Sequence, residues 1–427
     1  MSKQFFEHTL SNGVRLIAEP IPYFRSVAVG IWVRTGSVNE REEQNGYSHF
    51  IEHMLFKGTG RRSAMQISSE IDEIGGQLNA FTSKECTCYY ATVRDEHIDI
   101  AMDVLSDMFL HSAFDPAEIA KEKGVVIEEI HMVEDTPEDL VHELSSSLYF
   151  AGHPLARPIL GPEQNIAGLD RAGLVDYFNE RYGPEEIVIA CAGKIDPERF
   201  VALCEQHFGG YKAAPTAVKD KVPPATGDSS EGRYNGRVKD IEQLHFCLAL
   251  PGVDSESEDL YTLSVLSNIL GGGMSSRLFQ SLREEHGLVY TIYAYPTVYQ
   301  AGGKLAIYAA LNASQGVKAA QLIEEELNRL KDDLTLEEVT KTKEQLKGNY
   351  ILGQESTSAR MSAIGKGKLM RNFVRTEDQI LSLIEQVTLQ DVRRLFSQMM
   401  ESDRRYLSLV GRIEREEQMC KALGINF

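Results

Sequence analysis

Apolar and polar positions alternate at the start of the chain, so a sheet opens the fold. Residues 5–10 and 14–19 flank Ser11-Asn12-Gly13, and Asn-Gly between two alternating runs is a strong hairpin signal. Residues 26–35 predict a third strand with Val27, Val29, Ile31 and Val33 on one face. The period then lengthens to that of a helix over 48–57 and 64–74, the second stopped by Gly75-Gly76. Strands return at 77–81 and 87–93, followed by amphipathic helices over 97–110, 116–133 and 137–150, a strand at 186–192 and a helix at 197–208.

The second half repeats this order. A strand is predicted at 243–250, helices at 259–270 and 275–285, strands at 289–295 and 303–310, and helices at 313–330 and 336–356. Phe114-Asp-Pro-Ala-Glu118 opens one long helix, and Leu334-Thr-Leu-Glu-Glu338 opens its counterpart. Between the halves lies a stretch with three prolines and few large apolar residues, which reads as a linker. The expected class is α+β, with two tandem homologous domains, each an antiparallel-rich sheet covered by helices. Their bounds are 1–212 and 237–427, joined by a linker at 213–236. A length of 427 residues suits two such domains.

Acidic residues outnumber basic ones by 63 to 44, a net charge of -19 that repels phosphate backbones and argues against nucleic acid as a partner. No run is apolar enough for a membrane span, and the first residues lack the basic start and apolar core of a secretory signal, so a cytoplasmic location is expected. None of the six cysteines forms a Cys-x-x-Cys pair, and they read as buried free thiols, with Cys86 and Cys88 on one face of a strand.

Candidate chemistry concentrates in Gly46-Tyr-Ser-His49-Phe-Ile-Glu52-His53-Met-Leu-Phe-Lys-Gly58. Histidines at i and i+4 of a helix project from one face at a separation suited to one tetrahedral zinc. Glu52 emerges beside them, where it can take a proton from a water on that metal. A catalytic zinc commonly has three protein ligands, and Glu122-Lys-Gly-Val-Val-Ile-Glu128-Glu129-Ile-His131 offers candidates for the third. On a helix Glu122 and Glu129 share a face two turns apart, so Glu129 can bind the metal while Glu122 orients a ligand. His131 stands as a substitute. Aligning the two copies puts Ser264, Ser267 and Asn268 opposite His49, Glu52 and His53, and Asn349 opposite Glu129, so the second copy keeps the shape without the chemistry. Gly271-Gly-Gly273 lacks the Gly-Lys-Ser/Thr of a phosphate loop and reads as a hinge or helix breaker.

The reversed motif His49-Phe-Ile-Glu52-His53, with Glu129 downstream, resembles the inverzincin peptidases of the pitrilysin, insulinase and mitochondrial processing peptidase group. The resemblance covers nearly the whole chain and implies a zinc-dependent endopeptidase with one zinc per chain, held by His49, His53 and Glu129. It makes Glu52 the base and Glu122 the support of the metal site. Gly76-Gln-Leu-Asn79-Ala80-Phe81-Thr82 resembles the family's edge strand, on which a peptide or unfolded polypeptide adds itself as a further strand. Arg283 and Tyr290, in Arg277-Leu-Phe-Gln-Ser-Leu-Arg283-Glu-Glu-His-Gly287-Leu-Val-Tyr290, match the residues that reach the substrate carbonyl. Short members pair two chains, so the chain is expected to form half of a clamshell chamber in a homodimer. The alternatives are a non-catalytic structural or partner subunit of the same fold, and one half of a heterodimer.

Overall fold

The computed structural model describes residues 5–212, 222–225 and 232–426. Its first sheet has six strands, β1 (Phe6–Thr9), β2 (Arg15–Pro20), β3 (Ser26–Val33), β4 (Gln77–Thr82), β5 (Thr87–Arg94) and β6 (Ile187–Gly193), in the order β1-β2-β6-β3-β5-β4. The second has five, β7 (Tyr234–Val238), β8 (Gln243–Pro251), β9 (Val289–Tyr299), β10 (Gly302–Asn312) and β11 (Tyr406–Gly411), in the order β7-β11-β8-β10-β9. With β1 set aside, the two sheets match strand for strand. Each has one parallel pair in the same place, β2 with β6 and β7 with β11, among antiparallel neighbours. The repeat of element order along the chain is therefore a repeat of sheet topology.

The described residues divide into two units, and neither is a continuous stretch of chain. One comprises, of the described residues, 5–130, 157–212 and 351–376, and the other 131–156, 222–225, 232–350 and 377–426. This differs from the single boundary expected between 212 and 237, and burial on both sheet faces gives the reason. On β3, Val27, Val29, Ile31 and Val33 enter one core with Phe50, Ile51 and Met54. Ala28 and Trp32, on the opposite face, enter another with Met361 and Ile364 of the Thr357–Arg371 helix. The first sheet thus needs a cover that only the far end of the chain supplies. The second sheet is built likewise. Leu244, Phe246 and Leu248 fill one side, while Cys247 and Tyr308 on the other meet Leu140 and Val141 of the Pro137–Tyr149 helix. Each half of the sequence lends one helix to the other half's sheet.

Other differences are local. Of the expected linker, residues 213–221 and 226–231 lie outside the described residues, whereas 234–236 belong to β7, a largely exposed edge strand whose polar pattern hides it in the sequence. The helix expected at 275–285 narrows to a wide, π-type turn at Phe279–Glu285. Helices Arg171–Arg181, Thr357–Arg371, Glu377–Gln386, Leu389–Glu401 and Glu416–Ala422 complete the second and first units beyond the elements expected from periodicity. Among the described residues, all six cysteines are free and buried, and no helix is long and apolar enough to cross a membrane.

Candidate metal centre

The motif helix runs Tyr47–Leu55. Phe50, Ile51, Met54 and Leu55 are fully buried along one stripe, which leaves His49, Glu52 and His53 on the other. Its start is fixed by Gly46, at φ 105°, where a Cβ would come within 2.7 Å of the Leu160 carbonyl oxygen. Glu40, itself buried, accepts hydrogen bonds from the backbone N–H of Gly46 at 2.9 Å and of Ser48 at 2.7 Å, and from the Asn45 amide at 2.9 Å. A carboxylate at the positive end of a helix holds that end in place. Burial pushes the Glu40 carboxyl up, and these hydrogen bonds oppose the shift.

The Pro116–Asp135 helix brings Glu129 to the histidines. Glu129 Oε2 lies 3.7 Å from His49 Nε2 and 3.5 Å from His53 Nε2, and the three atoms all fall within 4.8 Å of one another. These separations exceed hydrogen-bond length, so the atoms face a common point instead of pairing. Among the described residues this is the one such group of three or more His, Cys, Asp or Glu side chains. His131 is not in it.

The two histidines are held differently. His53 Nδ1 lies 2.9 Å from Glu122 Oε2, and the other oxygen of Glu122 lies 2.6 Å from Lys57 Nζ. Glu122 is buried, and its contact leaves the His53 Nε2 lone pair directed at the common point. His49 Nδ1 is buried with no hydrogen-bond partner among the described residues. Burial, reinforced by His53, pushes the His49 pKa down to about 3, so the ring is neutral near pH 7 and its nitrogen free to bind a metal. Glu52 lies on the same stripe, its Oε2 accepting from Thr82 Oγ1 at 2.5 Å. Burial raises its carboxyl above the usual range, opposed chiefly by the Thr82 hydrogen bond.

These observations fit a metal ion. Two imidazole nitrogens and one carboxylate are the donor set of a zinc site with an open position. Glu52, Glu122 and Glu129 gather here, with Lys57 the one cation ion-paired to them among the described residues, an acidic setting that favours a divalent cation. The His49, His53 and Glu129 group can therefore hold a metal.

Asn79, Ala80, Phe81 and Thr82 form most of β4, the outer strand of its sheet, paired on one side to β5. Its residues alternate between exposed and half-buried, Gln77, Asn79 and Phe81 facing out. Arg283 and Tyr290 belong to the second unit, where the Arg283 guanidinium donates to the Tyr290 carbonyl and lies 5.7 Å from the Tyr290 ring. In that unit two positions aligned with the motif, Asn268 opposite His53 and Ser267 opposite Glu52, are hydrogen-bonded within the protein. The Asn268 amide donates to Gln345 Oε1 at 3.1 Å, and the Ser267 hydroxyl to the Ala294 carbonyl at 3.1 Å. An amide pair stands there, and no donor set for a metal.

Sequence reasoning missed Lys57, although its i+4 spacing from His53 was a usable signal. It also missed Glu40, whose partners are set by a loop, and the side-chain contact from Thr82 to Glu52.

Comparison with known proteins gives the family. Residues 15–163 match the profile of the family described as Insulinase (Peptidase family M16), and residues 168–346 match one described as Peptidase M16 inactive domain. A relative in Bacillus subtilis, named an uncharacterized zinc protease, YmxG, is 45% identical over 93% of this chain and 96% of its own. One in Rickettsia felis, also named an uncharacterized zinc protease, is 33% identical over 92% of this chain and 94% of its own. The fold is shared with a solved structure described as a peptidase M16 inactive domain from Pseudomonas fluorescens, at a TM-score of 0.88 and 17% identity, covering 96% of this chain and 99% of that one. Two adjoining profile matches and a relative 45% identical over almost its whole length place the chain in the insulinase family of peptidases, M16, among its short bacterial-type members.

Proposed function

We propose that the protein is a zinc-dependent endopeptidase acting on peptides or unfolded polypeptides. One observation carries the reading: His49, His53 and Glu129 converge on one point with Glu52 on the same helix stripe beside them. A zinc ion bound there supplies a Lewis acid that polarises a peptide carbonyl and lowers the pKa of a water.

The chain's own residues do the rest. Glu52 is the base: Thr82 engages Oε2, leaving Oε1 to take a proton from the attacking water and pass it to the departing amine. Glu122 fixes the His53 ring, and Lys57 fixes Glu122. The substrate lies extended along Asn79–Thr82, its main chain pairing with the open edge of β4. Such pairing gives affinity without a required side chain, which suits a peptidase of broad specificity. Arg283 and Tyr290 are assigned to the substrate carbonyl and the charge that develops on it.

The same reading has one zinc per chain, a homodimer enclosing a chamber, and a cytoplasmic enzyme. The rival, a non-catalytic subunit, has less support. The match to an inactive domain falls largely on the second copy, where Asn268 and Ser267 stand opposite His53 and Glu52, while the first copy keeps the full set.

Zinc analysis and cleavage of a quenched peptide library, with the wild type beside Glu52→Gln, test the proposal. The expected result is one zinc in both proteins and cleavage by the wild type alone. Absence of zinc, or equal cleavage by both, would overturn it.

A further inference from the structure

Thr82 lies on a strand read above as pairing with substrate through its backbone, and the surroundings of its side chain show what its hydroxyl does to Glu52. Along β4 the half-buried residues are Leu78, Ala80 and Thr82, and the first two pack against the core that contains Phe50 and Ile51 of the motif helix. The Thr82 hydroxyl therefore lies on the helix side of the strand. Its Oγ1 stands 2.5 Å from Glu52 Oε2 and 3.4 Å from Thr87 Oγ1, across the Thr82–Thr87 register pair.

Thr87 cannot compete for that position as a donor. It is fully buried, and its hydroxyl donates to the Thr35 carbonyl at 2.9 Å, so toward Thr82 it can only accept. The Thr82 proton then goes to the nearer and charged acceptor, Glu52. Among the described residues Glu52 has no other hydrogen-bond donor. A carboxylate with one oxygen held and the other free has one orientation in which to receive a proton.

We infer that Thr82 is a positioning residue for Glu52, so that the strand expected to take the substrate also sets the base. The inference rests on the peptidase reading. It assigns the Thr82 side chain to the rate of the chemical step and not to substrate affinity, which its backbone serves.

Thr82→Val keeps the shape and removes the hydroxyl; Thr82→Ser keeps the hydroxyl. Both are compared with the wild type and Glu52→Gln for zinc content, kcat and KM. The expected result for Thr82→Val is full zinc content, KM within about twofold, and kcat lower by roughly tenfold to a hundredfold, the scale of a misoriented catalytic group. Thr82→Ser should restore most of that rate.

A second readout needs neither activity nor zinc. In the zinc-free protein, the shifts in thermal midpoint of Thr82→Val and Glu52→Ala should fail to add in the double variant, because the two remove the same contact. Additive shifts, a rise in KM at unchanged kcat, or full activity of Thr82→Val would overturn the inference while leaving the peptidase reading intact. A wild type that binds zinc and cleaves nothing would overturn that reading, and this inference with it.

Discussion

Glu122→Gln is the substitution that most directly tests how the metal centre is held. Glu122 receives two donors on its two oxygens, His53 Nδ1 at 2.9 Å and Lys57 Nζ at 2.6 Å, with only 4% of its side chain exposed. Glutamine keeps the volume but offers one acceptor oxygen and adds an NH2, so one donor loses its partner. Lys57 is the one to leave, because 28% of its side chain already reaches solvent against 18% for His53. The amide carbonyl can stay on His53, but the charge-assisted contact is lost. Removing a negative charge also weakens attraction for a cation, so both effects have the same sign. Loss of a partner behind a metal ligand costs about tenfold to a hundredfold in metal affinity, or roughly 1.4 to 2.7 kcal/mol. Competition for zinc against a chelator of known affinity measures this, with thermal melts of the zinc-free protein reporting the fold separately. Glu129→Gln, which alters one of the three converging groups, should cost more. Zinc affinity of Glu122→Gln within about twofold of wild type would refute the reasoning.

Two further predictions concern the layers that carry the site. Gly365, in the helix lent to the first unit, would place a Cβ 2.3 Å from Trp32 Nε1, whereas Gly348, also helical, has nothing within 4 Å. Gly365→Ala should therefore destabilise by about 1–3 kcal/mol through overpacking, and Gly348→Ala should stabilise by up to about 1 kcal/mol. Trp32 is the only tryptophan, so urea unfolding followed by its fluorescence reads the first interface; equal signs for the two variants would count against it. His142, hydrogen-bonded to the Tyr293 and Tyr295 hydroxyls, has its pKa lowered from 6.5 to about 4, by burial and then by the charge of Lys304. Between those two values the unfolded chain binds its proton and the folded one does not, so stability falls as pH drops through the window. His142→Gln should flatten the pH dependence of the zinc-free protein by up to about 1.4 kcal/mol per pH unit; an unchanged slope would refute the assignment.

Much of this protein is set by local patterns that a sequence carries openly. The period-two run in β3 and the i, i+4 histidines on an otherwise apolar helix depend on neighbours within a few residues, so both were legible. So was the metal group, because Glu122 and Glu129 share a helix face whatever that helix packs against. Tertiary structure alone decided the rest. Which helix covers each sheet depends on contacts such as Trp32 with Met361, hundreds of residues apart, where apolar burial rewards any partner of suitable shape and the residues carry no address. The hydrogen bond from Thr82 to Glu52 is of the same kind. Neither residue type nor spacing announces it, because it exists only once β4 lies beside the motif helix. Periodicity fixes which face of an element is apolar; only packing fixes what that face, and the polar groups at its margin, will meet.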